Sequence, residues 1–209
     1  MTSQTGELVR KTLEYATQHA FEISDEKAFS IYFAFFYLEK MRVEGINPVF
    51  EFERHVFKEA KFPQFFTEKE RLDILVHIEG KRVGFEFKYP KVTDQQSTKK
   101  RAEIYQAICR LVHLTGVGFL YKGILICATN NPAVYSEGES KLYPTHNGYY
   151  IDKNSYILPL ESPNKVISHS SYGKIWNCKA PNSIRFQWNT IQGHSYQYLS
   201  PIEISNVTS

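Results

Sequence analysis

The sequence predicts an α/β domain: a mixed β-sheet flanked by helices, with a β-rich C-terminal extension. Three observations predict it. Helical spacing runs through the first 43 residues, period-two alternation replaces it from Val49, and helical spacing returns at Ser97 before another strand-like apolar run. The 209 residues suit one domain, 1–209, with a core over about 24–129 and the extension over 130–209.

Each element has its own signal. Leu8, Leu13, Ala16 and Ala20 mark a first helix. A second starts at Ser24, with Asp25 and Glu26 in its first turn, where acids suit the positive end of the helix dipole. From Ala28 to Leu38 it is apolar on nearly every side, which predicts burial on more than one face; Gly45 and Asn47-Pro48 end it. Val49 to Phe57 then alternates, with Phe50, Phe52 and Val56 on one face and Glu51, Glu53 and His55 on the other. Arg71–Ile78 and Arg82–Tyr89 read as two strands joined around Glu79-Gly80, and Pro90 stops the second. Ser97 opens a helix to about Leu114, with Ile104, Ile108, Leu111 and Val112 as its buried stripe, and a strand follows near Gly123–Ala128. Short strands are expected around Tyr149–Ile151, Ile184–Trp188 and Tyr196–Ile204.

Composition excludes several classes. Hydrophobic residues at 42% and charged residues at 22% are ordinary globular usage, which rules out disordered, collagen-like and coiled-coil chains. Three widely spaced cysteines form neither a zinc pattern nor a CxxC redox pair and suit a reducing compartment. MTSQTGELVRK has no apolar signal-peptide core, and the longest apolar run, Ile31–Leu38, is far short of the ~20 residues that span a bilayer. The expectation is a cytoplasmic protein with no membrane partner. No nucleophile-elbow context surrounds the serines, and no glycine-rich phosphate loop is present, which argues against a serine hydrolase and an NTPase. The net charge of +3 is too mild to announce a polyanionic partner by itself. Between Lys81 and Arg110, however, eight basic residues face three acids, a local +5.

The chemistry lies in Arg71–Val76 and Gly84–Lys88. Two positions apart on one strand, Glu86 and Lys88 share a face at about 6–7 Å. A two-residue turn at Glu79-Gly80 makes the sum of paired residue numbers odd, which puts Asp73 on that face as well: 159 sets it against Glu86 and 161 against Lys88. A one-residue slip would reverse it. Two carboxylates and an ammonium on one patch suit a hard divalent ion such as Mg²⁺, which takes one or two carboxylates and leaves the rest to water and phosphate. Lys88 could orient or deprotonate the attacking water, or hold the scissile phosphate.

Asp73, twelve intervening residues, and then Glu86-Phe87-Lys88 resemble the PD-(D/E)xK phosphodiesterase superfamily, which includes restriction endonucleases and repair nucleases. The resemblance covers about residues 24–129 and implies a restriction endonuclease-like fold. It further implies a DNA endonuclease of restriction, repair or mobile-element type using Mg²⁺, with Mn²⁺ as substitute. On it, Asp73 and Glu86 would ligate the metal with the Phe87 carbonyl, and Lys88 would be the catalytic lysine. Leu72 stands where the family name has proline. Members often carry an earlier acid; Glu53 is the leading candidate, with Glu51, Glu39 and Glu26 behind it. Gln106 could match a glutamine on the following helix, although it lies on a polar stripe with Lys99, Glu103, Arg110 and His113. Lys91, Lys99, Lys100 and Arg101 would meet DNA phosphates. One such site cuts one strand, so double-strand cleavage would imply a homodimer.

Other readings remain. The charges could decorate a solvated sheet face. The fold could serve a non-catalytic nucleic-acid-binding or assembly module. Trp176, Trp188, Tyr196 and Tyr198 could stack on bases or form the site of an uncharged ligand, with core packing the blander account. His55 and His77 read as surface or half-buried polar residues.

Overall fold

A computed structural model describes residues 2–19, 23–56, 71–94, 97–137, 143–158, 166–169, 173–176 and 178–205. Two helices, α1 (Thr2–Gln18) and α2 (Glu26–Val43), precede an antiparallel meander of β1 (Val49–His55), β2 (Arg71–Ile78) and β3 (Lys81–Lys88). Helix α3 (Ser97–Gly116) then crosses over to β4 (Lys122–Thr129), parallel to β3, and a single turn, α4 (Pro132–Tyr135), follows. In the extension, β9 (Trp188–Thr190), β10 (Gln197–Leu199) and β11 (Ile202–Ser205) join the same sheet. Two small hairpin-like pairs, β5 (Tyr150–Ile151) with β8 (Ile184–Arg185) and β6 (Val166–His169) with β7 (Gly173–Trp176), lie apart from it. The chain is thus a mixed α/β structure with a seven-stranded mixed sheet flanked by helices. No helix among the described residues is long and apolar enough to cross a membrane.

The β2–β3 turn sets the register. Glu79 and Gly80 take φ of 49° and 75°, the left-handed conformation of the two-residue hairpin turns that match strand twist. Ile78 therefore pairs with Lys81 and Ile74 with Phe85, a constant sum of 159. On the far side, β4 divides its edge: Lys122–Leu125 pairs with β11, and Ala128–Thr129 with β10. The extension is sheet, not appendage.

The sheet separates two cores. On one face Ile74, Val76, Phe85, Phe87, Ile124 and Ile126 meet α1 and α2. The Phe33 ring of α2 sits 5.5 Å from Phe85 and 5.4 Å from Phe87, in the tilted and edge-on geometries aromatic pairs favour. On the other face Leu75, Leu125 and Cys127 pack with α3 and the extension.

Three expectations need correction. Asp25, not Ser24, caps α2: its carboxylate accepts the Ala28 N–H at 2.8 Å. The face Phe50–Phe52–Val56 does not persist. Phe50 packs on the α2 side and Phe52 is half exposed, whereas Val56 is fully buried in the α3 core. The cause is Glu53, whose φ of 49° turns the chain and leaves it out of the paired positions, between Phe52↔Ile74 and Arg54↔Leu72. The partner strand changes face at the same level, with Leu72 in the α3 core and Ile74 in the α2 core. Finally, α3 buries more than one stripe. Tyr105 and Cys109 are also inside, because the extension supplies Tyr143 and Phe186, whose rings lie 5.7 and 5.9 Å from Tyr105.

Helix α3 lies close on β4 at Gly123. A Cβ there would stand 2.9 Å from Leu111 Cδ2 and 3.0 Å from its Cβ, the latter a stem that cannot rotate away. Gly123→Ala is expected to destabilise the fold by about 1–3 kcal/mol through overpacking, read as a lowered urea midpoint with unchanged slope.

Candidate active site

The cluster forms where β2 and β3 part beyond the Ile74–Phe85 pair. Past the last pair, the Asp73 carboxylate reaches across and takes the Phe87 N–H at 2.7 Å. A backbone donor at the strand end is thus satisfied by a side chain, which fixes the carboxylate.

Glu86 points to the α3 face and is fully buried. Arg110, three turns into α3, donates to both its carboxylate oxygens at 2.8 and 2.9 Å. Burial, reinforced by the nearby Asp73 charge, pushes the Glu86 pKa up to about 7 against the pull of Arg110 and Lys88. Lys88 donates to Glu26 at 2.7 Å and to the Phe87 carbonyl at 2.5 Å. Burial disfavours its ammonium, but Glu26, Asp73 and Glu86 together outweigh it and hold its pKa above the ordinary lysine value. Glu26 also accepts the Tyr89 N–H at 3.3 Å. Burial raises its own pKa, with Lys88 opposing and Asp73 adding to the rise.

Two recesses meet at Glu26. One, of about 600 Å³, is lined by Glu26, Lys88, Lys91, Lys100, Gln106 and Arg110 among others. The loop after β3 shapes its rim. Thr129 Oγ1 donates to the Pro90 carbonyl at 2.7 Å, Asn131 Nδ2 to the Lys91 carbonyl at 3.0 Å, and Val92 N–H to Asn130 Oδ1 at 2.8 Å. The other recess, of about 650 Å³ on the α2 side, is lined by Glu26, Lys27, Ser30, Ile31, Phe52, Glu53 and Asp73.

Among the residues expected at the site, Asp73, Glu86, Phe87 and Lys88 are brought together. Glu53 is not in contact with Lys88: it is half exposed and pairs with Lys27 and Arg71, each at 3.1 Å. Glu26, one of the three acids placed behind Glu53, is the acid that touches Lys88. Of the other two acids, Glu51 binds His77 at 2.5 Å and Glu39 reaches Lys11 at 3.3 Å. Lys91, Lys100 and Gln106 line the cleft, and Lys100 pairs with Glu103 at 3.2 Å. Lys99 is half-buried and is not part of that lining. Arg101 turns inward, 5% exposed, with its guanidinium on the Ala133 and Ser136 carbonyls, so it is no surface cation. Trp188 is core, its indole N–H on the Thr145 carbonyl at 2.7 Å, and Tyr196 stacks on Tyr89. The side chain of Trp176 lies outside the described residues.

Arg110 was missed because a polar stripe on a helix is read as facing water. Its signal was present: it follows Gln106 by four residues and so shares that residue's face.

Hard oxygen donors dominate the cluster, and an all-oxygen set suits Mg²⁺. Among the described residues, however, no group of three or more His, Cys, Asp or Glu side chains is gathered to hold a metal ion, so water and phosphate would have to complete any coordination. No protein-family model matches the chain, and comparison with curated proteins and with solved structures finds no match.

Removing one partner of a buried ion pair leaves the other uncompensated. Arg110→Met should therefore cost about 3–5 kcal/mol of stability, and adding Glu86→Gln should restore most of it, as measured by chemical denaturation of the three proteins.

Proposed function

We propose that this protein is a Mg²⁺-dependent nuclease with a restriction endonuclease-like PD-(D/E)xK core, hydrolysing phosphodiester bonds in DNA. The observation that carries the reading is the register of the two-residue turn. It brings Asp73, on the Phe87 N–H, beside Glu86 at a sheet end where Lys88 is pinned by Glu26. The helix–meander–helix–strand order of α2 through β4 fits the core that the motif implies.

Asp73, Glu86 and the Phe87 carbonyl are the groups that would hold the ion. When bound, the ion lowers the pKa of a coordinated water and offsets charge on the reacting phosphate. The chain supplies the rest. Lys88, held by Glu26 beside Asp73 and Glu86, is placed to orient the attacking water or to hold the phosphate. Glu26 is a positioning residue that aims Lys88. Lys91 and Lys100 line the cleft through which a phosphate backbone would approach, and Gln106 offers amide hydrogen bonds beside them.

One observation favours a second reading, a non-catalytic nucleic-acid-binding or assembly module: Arg110 engages both oxygens of Glu86. The two readings part on metal dependence. A nuclease loses product formation in EDTA; a binding module keeps a salt-dependent affinity that ignores metal and survives Asp73→Asn.

Purified protein is expected to nick or degrade DNA with Mg²⁺ or Mn²⁺. Lys88→Ala should reduce cleavage at least roughly a hundredfold with circular dichroism unchanged, and undiminished cleavage by that variant would remove the proposed chemistry. Glu26→Gln should slow cleavage well beyond Glu53→Gln, compared as initial rates on one oligonucleotide; equal rates would return the positioning role to neither acid.

A further inference from the structure

The α2-side recess adjoins the chemistry above through Glu26 and Asp73, while its other walls take no part in it. Its walls combine two kinds of surface. Ile31 and Phe52 are apolar side chains left 48% and 50% exposed. Phe52 is not loose: its ring stacks on Phe50 with centroids 6.3 Å apart and planes 19° apart. The charged lining is Glu26, Glu53 and Asp73 against Lys27 alone, three acids to one base. With Glu26 paired to Lys88 and Glu53 to Lys27 and Arg71, what this recess leaves open is the Phe52 ring and Ile31, which suit a flat, neutral, partly apolar group. The recess beyond Glu26 balances Lys88, Lys91, Lys100 and Arg110 against Asp25, Glu26, Asp94 and Glu103, and so is the less acidic of the two.

Resting on the nuclease reading, we infer that the Phe52 recess is a nucleobase subsite and that the substrate is unpaired at the nucleotide next to the scissile phosphate. A strand crossing the catalytic cluster, with its backbone toward the lysine-lined cleft, delivers one adjoining base to the opposite side. The face of a base can lie on the Phe52 ring only if that base has left its stack. Within a duplex both faces are covered by neighbours, whereas single strands stack readily on protein rings. The volume of about 650 Å³ is in the range of small-ligand pockets. The preference is for single-stranded, frayed or flapped DNA over continuous duplex.

The test uses the full-length protein and short oligonucleotides carrying 2-aminopurine at successive positions, in EDTA so that no cleavage occurs. Fluorescence should be quenched by stacking at one position of the single strand and at none in the matching duplex. Phe52→Leu keeps an apolar side chain and removes the ring. It should abolish that quench and weaken single-strand binding roughly tenfold, while Phe52→Tyr preserves both. The inference is overturned if no position is quenched, if the leucine variant retains the quench, or if single strand and duplex bind equally. It is overturned too if Phe52→Leu changes the sedimenting mass but not oligonucleotide affinity, which would give this face to a second copy of the chain. Were the wild type to cut nothing with Mg²⁺ or Mn²⁺ yet show the quench and its loss, the base subsite would stand and the nuclease reading would fall.

Discussion

No charge at the open end of this sheet can be buried alone. Glu86 is wholly excluded from water, and an uncompensated carboxylate there would be prohibitive. Arg110 supplies the opposite charge from α3, Lys88 adds a second from the adjacent residue pair on β3, and Glu26 balances Lys88 from the first turn of α2. Asp73 completes the set by capping the Phe87 N–H. The mutual need of these five side chains brings the start of α2, the ends of β2 and β3 and the middle of α3 to one point. Hydrophobic packing holds each helix to its own face of the sheet.

Much of this was legible because it depends on local rules. A Glu-Gly pair between two alternating strands signals a left-handed turn, and that turn fixes the register. The register in turn decides which residue opposes Glu86. What was not legible depends on exceptions to those rules. A glutamate seldom adopts positive φ, so nothing at Glu53 announced that alternation would break there and send Phe52 and Val56 to opposite sides. Glu26 looked like an ordinary dipole-complementing acid at a helix start. Only the tertiary approach of β3 makes it a partner of Lys88.

Helix α3 shows a related lesson. Read as a one-sided helix, it buries only Ile104, Ile108, Leu111 and Val112 and leaves Arg101 and Arg110 outside. The 80 residues beyond β4, weak in periodicity and hard to place, supply the cover that moves Tyr105 and Cys109 inside, while α4 and the turn after it offer the carbonyls that draw in Arg101. An irregular segment with many Tyr, Asn and Pro residues gives little indication of its partner, because its contacts come from isolated large side chains instead of a repeating stripe.

The divided edge of β4 ties the beginning of the fold to its end. Strand β11 reaches back some eighty positions to pair with Lys122–Leu125, so the half of β4 it covers keeps open backbone donors and acceptors until residues 202–205 arrive. During synthesis that interval leaves an apolar strand seeking a neighbour, the circumstance in which chains pair with one another. Closure by so distant a segment is slow by its topology. The sheet therefore cannot close before residues 202–205 are made, and a chain lacking β11 would carry an open strand edge, a ready-made template for aggregation.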